Sequence, residues 1–169
     1  IREGGEPALW PRFVHRLDRE TSGVILAAKD AATASLAGKA LARGEFEKEY
    51  VAILHGAAVA EDRLEVTVPI ARIDDAPPHW RTHPEGQSAH SIVEVLARSG
   101  PITLCRMHPL TGRTNQLRIH AASLGAPILG DALYGGAPGP RMLLHARQLR
   151  FRHPHTGEPL AFEAPLPAA

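Results

Sequence analysis

The segment that decides the fold is His15-Arg16-Leu17-Asp18-Arg19-Glu20-Thr21-Ser22-Gly23, which sets one carboxylate, Asp18, between two arginines and leads into Val24-Ile25-Leu26. A carboxylate flanked by cations is expected to stay ionised, with a lowered pKa. Such an aspartate can act as a nucleophile, and the arginines can contact phosphates. On the residues alone, a tight turn closed by glycine is the more common use of such a segment. Catalysis by Asp18 is the second interpretation, and the segment alone does not exclude it.

Length and composition predict an ordinary globular domain. The chain has 169 residues, of which 44% are hydrophobic and 22% charged, so we expect one domain over residues 1–169 with a substantial core. No apolar run approaches the roughly 20 residues of a membrane span. The single cysteine, Cys105, excludes an internal disulfide, so we expect a buried thiol in a reducing, cytoplasmic compartment.

The two parts of the chain differ in charge, although the net charge is only +1. Residues 95–157 contain eight arginines and one acidic residue, Asp131, whereas residues 1–94 contain 11 basic and 15 acidic residues. This segregation favours one positive face for a polyanion. Arginines scattered around a solvated surface are the alternative, and the sequence does not decide between the two.

Short apolar and alternating runs predict a sheet with two helices. We expect helices over residues 31–43, after the N-cap candidate Asp30, and over residues 114–124. The predicted strands cover residues 23–29, 46–54, 64–73, 88–97, 102–107, 146–152 and 160–163, and residues 74–87 are predicted to be a loop. This pattern predicts an α+β domain with a mixed or antiparallel β-sheet core and flanking helices.

Three further stretches match a known pattern. They are Lys48-Glu49-Tyr50-Val51-Ala52-Ile53-Leu54-His55-Gly56; His108-Pro109-Leu110-Thr111-Gly112-Arg113-Thr114-Asn115-Gln116-Leu117-Arg118-Ile119-His120, continued by residues 127–135; and Leu143-Leu144-His145-Ala146 with residues 153–157. Together with the Asp18 segment, and in this order, they resemble the RluA family of RNA pseudouridine synthases. The resemblance covers most of the chain and implies the pseudouridine synthase fold, with its active site in a central cleft. The family's upstream Lys-Pro-x-Gly strand and the S4 domain of many members have no counterpart here, so we expect an N-terminally truncated catalytic domain.

The resemblance implies three catalytic residues. Asp18 would be the nucleophile, Arg118 its ion-pair partner, and Tyr50 the ring that stacks on the flipped uracil, with its hydroxyl near the C5 proton. On the residues alone, a strand tyrosine is more often part of the core and a helix arginine more often solvated. Asn115 stands where the family commonly has a histidine.

Four more residues would contact RNA according to the same resemblance. Arg16 would enter the space that the flipped uridine leaves, a place that suits a flat guanidinium. Arg113 would contact phosphate or brace the loop, Gln116 belongs to the same motif, and Leu144 would wall the pocket. Taken alone, an exposed turn arginine and a core leucine are the simpler interpretations.

No cofactor or metal is expected. The ten histidines form no His-Glu-x-x-His pattern, and the sequence contains neither Cys-x-x-Cys nor Gly-x-Ser-x-Gly. The predicted function is isomerisation of uridine to pseudouridine in structured RNA by a monomer without an obligatory protein partner. Large-subunit ribosomal RNA is the first expectation and transfer RNA the second. An RNA-binding or ribosome-assembly factor and a glycosidase-like hydrolase remain as alternatives.

Overall fold

The computed structural model describes residues 10–56, 59–75 and 79–167. This part of the chain contains two α-helices and eleven β-strands. The helices are α1 (Ala31–Ala42) and α2 (Gln116–Ser123). The strands are β1 (Arg12–Phe13), β2 (Ser22–Gly23), β3 (Ala27–Ala28), β4 (Glu47–His55), β5 (Arg63–Val66), β6 (Ile70–Ile73), β7 (His79–Thr82), β8 (Ser91–Ser99), β9 (Ile102–Pro109), β10 (Leu144–Arg152) and β11 (Pro159–Glu163).

Seven strands form the main sheet. Its order is β11-β10-β4-β9-β8-β5, with β2 paired to β10. The β2–β10 pair is parallel and the other pairs of this sheet are antiparallel. Two small antiparallel sheets, β1–β3 and β6–β7, complete the strand pairing. The predicted α+β class with a mixed sheet is confirmed.

Two local signals set the ends of the elements that carry the site. Asp30 caps α1, because its Oδ1 accepts a hydrogen bond from the Thr33 N–H at 2.8 Å. Gly100, with φ 57°, allows the tight turn that joins β8 to β9. The end of this hairpin leads through residues 110–115 directly into α2, so this loop lies beside the centre of the main sheet.

Two predicted strands are each divided in the structure. Residues 64–73 form β5 and β6 on either side of Pro69, which has no N–H to offer a strand ladder. Residues 23–29 form β2 and β3, which pair with different strands. The predicted loop over residues 74–87 contains β7, and its residues 76–78 lie outside the described residues. The expectations of two continuous strands and of a loop without strands are therefore wrong.

The main core lies between the central strands and α2. Leu54, Val93 and Met107 from the strands pack in one cluster with Leu117 from α2. Cys105 belongs to the same cluster and is fully buried, as predicted. Within the described residues, neither helix is long and apolar enough to cross a membrane. The core therefore fixes α2 against the sheet, which places the residues before α2 at the cleft described below.

Gly23 brings the Asp18 segment close to the main sheet. Its φ is 123°, a value that residues with a side chain rarely adopt. A Cβ at this position would lie 2.2 Å from the backbone carbonyl oxygen of Ala146. The parallel pairing of β2 with β10 therefore requires glycine here, and it ties the segment that carries Asp18 to the strand that carries Leu144.

Replacing Gly23 by alanine is expected to lower the free energy of unfolding by about 2–4 kcal/mol, because the added Cβ is both strained and blocked by backbone. The matched control is Gly38→Ala within α1, where a Cβ meets nothing within 4 Å. That variant is expected to gain about 0.5–1 kcal/mol from helix propensity. Urea unfolding measures both changes, and equal stability of the two variants would contradict the proposed close packing.

Candidate active site

A cleft of about 580 Å³ opens where the Asp18 segment, the middle of β4 and the loop before α2 meet. Asp18, Arg16, Tyr50, Arg113 and Leu144 all line this cleft. They come from all four sequence motifs, which lie far apart along the chain. The fold therefore brings most of the sequence-predicted site residues to one place, which we call the Asp18 cleft.

The Asp18 segment is a turn that also presents a carboxylate. The Thr21 N–H donates to the backbone carbonyl of Asp18 at 2.9 Å, which closes the turn. His15 accepts the Leu26 N–H on its Nε2 at 3.0 Å, and this bond fixes the start of the segment. Burial lowers the pKa of His15, so its ring is neutral at physiological pH and suited to accept this bond. The two interpretations of the sequence, turn and catalytic carboxylate, are therefore compatible.

Burial raises the pKa of Asp18 above its ordinary value of 3.8. The cations Arg118 and Arg16 act in the opposite direction, and Asp131 adds to the rise. The prediction of a lowered pKa is wrong, because loss of solvent outweighs the flanking charges and Arg19 is exposed. An anion at Asp18 is consequently less well solvated than an exposed carboxylate.

Arg118 does not form the direct ion pair with Asp18 that the resemblance implied. Its Nε and Nη2 donate to the two carboxylate oxygens of Asp131, both at 2.7 Å. Within the described residues, its remaining ion pair is with Glu20 at 3.9 Å. Arg118 still lowers the pKa of Asp18 through its charge. It is therefore a neighbouring cation for Asp18, whereas Asp131 is its direct partner.

Asn115 links Asp18 to the start of α2, a role that the sequence did not reveal. Its φ of 55° lies in the left-handed region, which asparagine tolerates better than most residues. With its Nδ2 facing Asp18, the amide donates to both carboxylate oxygens at 3.2 and 3.3 Å. Its Oδ1 then accepts from the Tyr134 hydroxyl at 2.9 Å. The motif signalled the position of Asn115, but nothing in the sequence signalled the unusual backbone that turns it to Asp18.

Tyr50 and Leu144 form apolar walls of the Asp18 cleft from adjacent strands, β4 and β10. Burial, with the charge of Asp18, raises the pKa of Tyr50 to about 12. The phenol is therefore neutral at physiological pH. Leu144 is almost fully buried and also belongs to the main core. A planar ring beside a leucine and a carboxylate is suited to hold a flat, uncharged base.

The cations at the Asp18 cleft are Arg16, Lys48 and Arg113. Burial lowers the pKa of Lys48, whose Nζ donates to the Thr111 carbonyl at 3.5 Å. The sequence motif contained Lys48, but no role was predicted for it. Several arginines of residues 95–157 are instead paired with carboxylates from the first half of the chain. These pairs are Arg98–Asp62, Arg106–Glu49 and Arg150–Glu47. The segregation of charge along the sequence is thus partly cancelled between strands.

Gln116 lines the Asp18 cleft and braces the loop that leads into α2. Its Oε1 accepts from the Thr111 hydroxyl at 2.6 Å and from the Arg113 N–H at 3.0 Å. Its Nε2 donates to the His90 carbonyl and to the Ser91 hydroxyl at 2.9 and 2.8 Å. These bonds use both donors and both acceptor positions of the amide. Gln116 therefore shapes the loop that presents Arg113, and its contact with RNA stays a prediction.

Within residues 10–56, 59–75 and 79–167, no three His, Cys, Asp or Glu side chains are grouped as a metal ion would require. At this cleft the partly buried carboxylate can act as a nucleophile. The neutral phenol and the apolar wall can hold a flat ligand, and the three cations can contact its phosphates.

Comparison with known proteins identifies the class to which this fold and cleft belong. The family model described as RNA pseudouridylate synthase matches residues 8–123. In solved structures, a human protein titled RNA Pseudouridylate Synthase Domain Containing 1 superposes with a TM-score of 0.82 at 30% identity, covering 92% of this chain and 69% of its own.

Two curated relatives identify the family of RNA pseudouridine synthases to which the chain is similar. The dual-specificity RNA pseudouridine synthase RluA of Pasteurella multocida is 41% identical, over 89% of this chain and 71% of the relative. The ribosomal large subunit pseudouridine synthase D of Haemophilus ducreyi is 34% identical, over 92% of this chain and 52% of the relative. The chain belongs to the RluA family of RNA pseudouridine synthases, as the sequence predicted. It spans only about half the length of several of the curated relatives that it matches.

Replacing Asp18 by asparagine is expected to raise the Tm at pH 7, because the variant no longer buries a charge. A raised pKa in the folded state means that the ionised form costs stability as pH rises through that pKa. The gain in Tm should therefore shrink as pH falls towards 3.8, because the folded-state carboxyl becomes protonated first, and it should be lost below 3.8, where Asp18 is mostly protonated in both states. Thermal unfolding between pH 4 and 8 tests this, with Asp75→Asn as the control at an exposed carboxylate. A gain in Tm that does not depend on pH would contradict the raised pKa.

Replacing Asn115 by alanine is expected to cost more stability than replacing it by glycine. Both variants lose the amide contacts with Asp18 and Tyr134, but only alanine has a Cβ that disfavours the left-handed backbone. The difference should be about 1–2 kcal/mol in the free energy of unfolding. Urea unfolding of the two variants measures it, and an alanine variant as stable as the glycine variant would show that the backbone at position 115 is unstrained.

Proposed function

We propose that this protein isomerises uridine to pseudouridine in structured RNA, with Asp18 as the nucleophile. The observation that carries the proposal is the partly buried Asp18 carboxylate in a cleft that it shares with Tyr50 and Arg16. Family membership supports the same reaction class. The reaction breaks the bond between C1′ and N1, joins C5 to C1′, removes a proton from C5 and adds one to N1.

The burial of Asp18 supports a nucleophilic role. An ion in a site with little water loses the solvation that would otherwise lower its reactivity. The nearby positive charge of Arg118 and the amide of Asn115 keep the anion accessible at neutral pH despite burial. We therefore propose that Asp18 is ionised during turnover and that no guanidinium binds both of its carboxylate oxygens.

Access to the glycosidic bond requires that the uridine leave the RNA stack. Arg16 is exposed at the cleft, two residues from Asp18, where its guanidinium can enter the vacated space. Arg113 and Lys48 at the same cleft supply charge for the flanking phosphates. We propose that these three cations hold the RNA backbone while the base enters the cleft.

Tyr50 and Leu144 are proposed to hold the detached uracil. A tyrosine with a pKa of about 12 is a neutral ring at physiological pH, so it can stack on the base but is a poor source of phenolate. Leu144 closes the other apolar wall. Retention of the base is what separates isomerisation from simple cleavage of the glycosidic bond.

Large-subunit ribosomal RNA is the substrate that we propose, with transfer RNA as the alternative. The name of the Haemophilus ducreyi relative supports ribosomal RNA, whereas the name of the Pasteurella multocida relative is compatible with more than one target. Shape-dependent recognition of RNA does not follow from a short sequence motif. The substrate assignment therefore needs a direct test.

The test incubates the protein with unmodified ribosomal and transfer RNA and maps pseudouridine by chemical labelling and primer extension. Wild type and Asp75→Asn are expected to give the same new stop, and Asp18→Asn is expected to give none while keeping its RNA affinity. A stop in ribosomal RNA supports the first substrate, and a stop in transfer RNA supports the second. Tight binding with no stop in either RNA would overturn the catalytic proposal in favour of a binding factor.

A further inference from the structure

A chain of buried polar groups runs from His120 on α2 towards the loop before this helix. His120 and Ser91 are fully buried, and Gln116 is nearly so. The His120 Nδ1 lies 3.0 Å from the Ser91 hydroxyl, and the Ser91 Oγ accepts from the Gln116 Nε2 at 2.8 Å. On the other side of the ring, the His120 Nε2 lies 3.0 Å from the carbonyl oxygen of Val68. His120 therefore joins α2 to β8 and to the segment between β5 and β6.

The Val68 carbonyl decides the direction of this chain, because a carbonyl oxygen can only accept a hydrogen bond. The His120 Nε2 must therefore carry the hydrogen, and in a neutral ring the Nδ1 then accepts from the Ser91 hydroxyl. Burial lowers the pKa of His120 and outweighs the bond to Val68, so the ring is neutral at physiological pH. Because Ser91 uses its hydrogen on the ring, its oxygen can only accept, and the nitrogen end of the Gln116 amide must face it.

The oxygen end of the Gln116 amide holds the loop that carries Arg113. Its Oε1 accepts from the Arg113 N–H at 3.0 Å, and the Arg113 Nε donates to the carbonyl of Ser88, just before β8, at 2.9 Å. Within the part of the chain that the structure describes, the Nη1 and Nη2 of Arg113 have no hydrogen-bond or ion-pair partner, and the residue is exposed at the Asp18 cleft. Both the backbone and the side chain of Arg113 are thus held by segments that His120 joins.

We propose that His120 is a positioning residue for RNA binding, which holds Arg113 at the Asp18 cleft through Ser91 and Gln116. The two unoccupied nitrogens of Arg113 match the geometry of a phosphate. A guanidinium that is fixed before binding loses less side-chain freedom when it meets that phosphate. The inference rests on the phosphate contact of Arg113 in the proposed function, and it assigns a buried histidine outside the cleft to substrate affinity.

The first experiment compares Ser91→Ala and Arg113→Gln, alone and together, by their affinity for in vitro transcripts of large-subunit ribosomal RNA and transfer RNA. Each single variant is expected to bind about three- to tenfold more weakly, because one charged contact with phosphate is loosened or lost. The double variant should bind no more weakly than Arg113→Gln, since Ser91 acts through Arg113. Equal losses from Ser91→Ala with and without Arg113, or no loss from either single variant, would overturn the proposal.

Ser123→Ala is the matched control for Ser91→Ala. The Ser123 hydroxyl donates to the backbone carbonyl of His120 at 2.7 Å, so it contacts the same residue but lies outside the chain. This variant is expected to keep the RNA affinity of wild type. A loss equal to that of Ser91→Ala would show that any disturbance around His120 weakens binding, which contradicts a specific chain.

Replacement of His120 itself tests whether the hydrogen bonds or the volume of the ring matter. Glutamine has one donor and one acceptor on a single terminal carbon, so His120→Gln can bond to both Val68 and Ser91, whereas His120→Leu can bond to neither. The glutamine variant should bind RNA within about twofold of wild type and the leucine variant about as weakly as Ser91→Ala. Equal affinity of the two folded variants would reject the proposal. If the leucine variant does not fold, the comparison of Ser91→Ala with Arg113→Gln still decides.

Nitrogen-15 NMR of the histidine rings determines the direction of the chain without RNA. With the signal assigned by its loss in His120→Gln, the ring of His120 is expected to be neutral at pH 7 with its hydrogen on Nε2. A charged ring, or a hydrogen on Nδ1, would overturn the proposal, because the Ser91 hydroxyl could then not donate to His120.

Turnover separates this inference from the proposed function. With wild type active on RNA, Ser91→Ala should raise KM and leave kcat within about twofold, because the chain holds a binding residue and includes neither Asp18 nor Tyr50. A lowered kcat with an unchanged KM would contradict a role in binding. If wild type forms no pseudouridine, the proposed function fails, and the RNA affinities of the variants still decide whether His120 positions Arg113.

Discussion

The buried contact between Arg118 and Asp131 is the constraint on which the rest of the site depends. It joins the second helix to the turn that precedes the last hairpin of the sheet. A broken buried pair leaves an uncompensated charge, so such a contact fixes geometry more strongly than its net stabilisation suggests. The pair holds the positive charge of Arg118 near Asp18, and Asn115 at the start of the same helix reaches the Asp18 carboxylate.

At Asp18, the proposed function and the stability of the fold make opposite demands. Burial disfavours the carboxylate anion, yet the proposed reaction needs that anion in a place that excludes water. The structure compensates in part with the nearby cation Arg118 and the amide of Asn115, while the two-bond fork of Arg118 goes to Asp131 and not to Asp18. Strain at Asn115 and the close approach at Gly23 hold the arrangement in place. Locally unfavourable features of this kind commonly gather at functional sites.

The sequence predicted much of the site but not the contacts that set its chemistry. The class of fold followed from the pattern of strands and helices, and the meeting of Asp18 with Tyr50 followed from the resemblance of the four motifs to the RluA family. The partner of Arg118 did not follow, because no periodicity or spacing links a helix residue to an aspartate in a separate turn. The direction of the Asp18 pKa was also missed, since neighbours in sequence are visible before folding and burial is not. Gln116 shows the same limit, because the partners of its four internal bonds lie in two segments, and one of them, residues 90–91, is distant in sequence.

The measurement that tests the central claim most directly uses ribosomal RNA labelled with tritium at C5 of uridine. Joining C5 to C1′ must release this hydrogen to solvent, whereas simple cleavage releases the whole base. The account predicts that wild type releases tritium in step with the loss of uridine, without free uracil, and that Asp18→Asn releases none. Free uracil, or tritium release that survives the loss of the Asp18 carboxylate, would contradict a retained base and a nucleophilic Asp18.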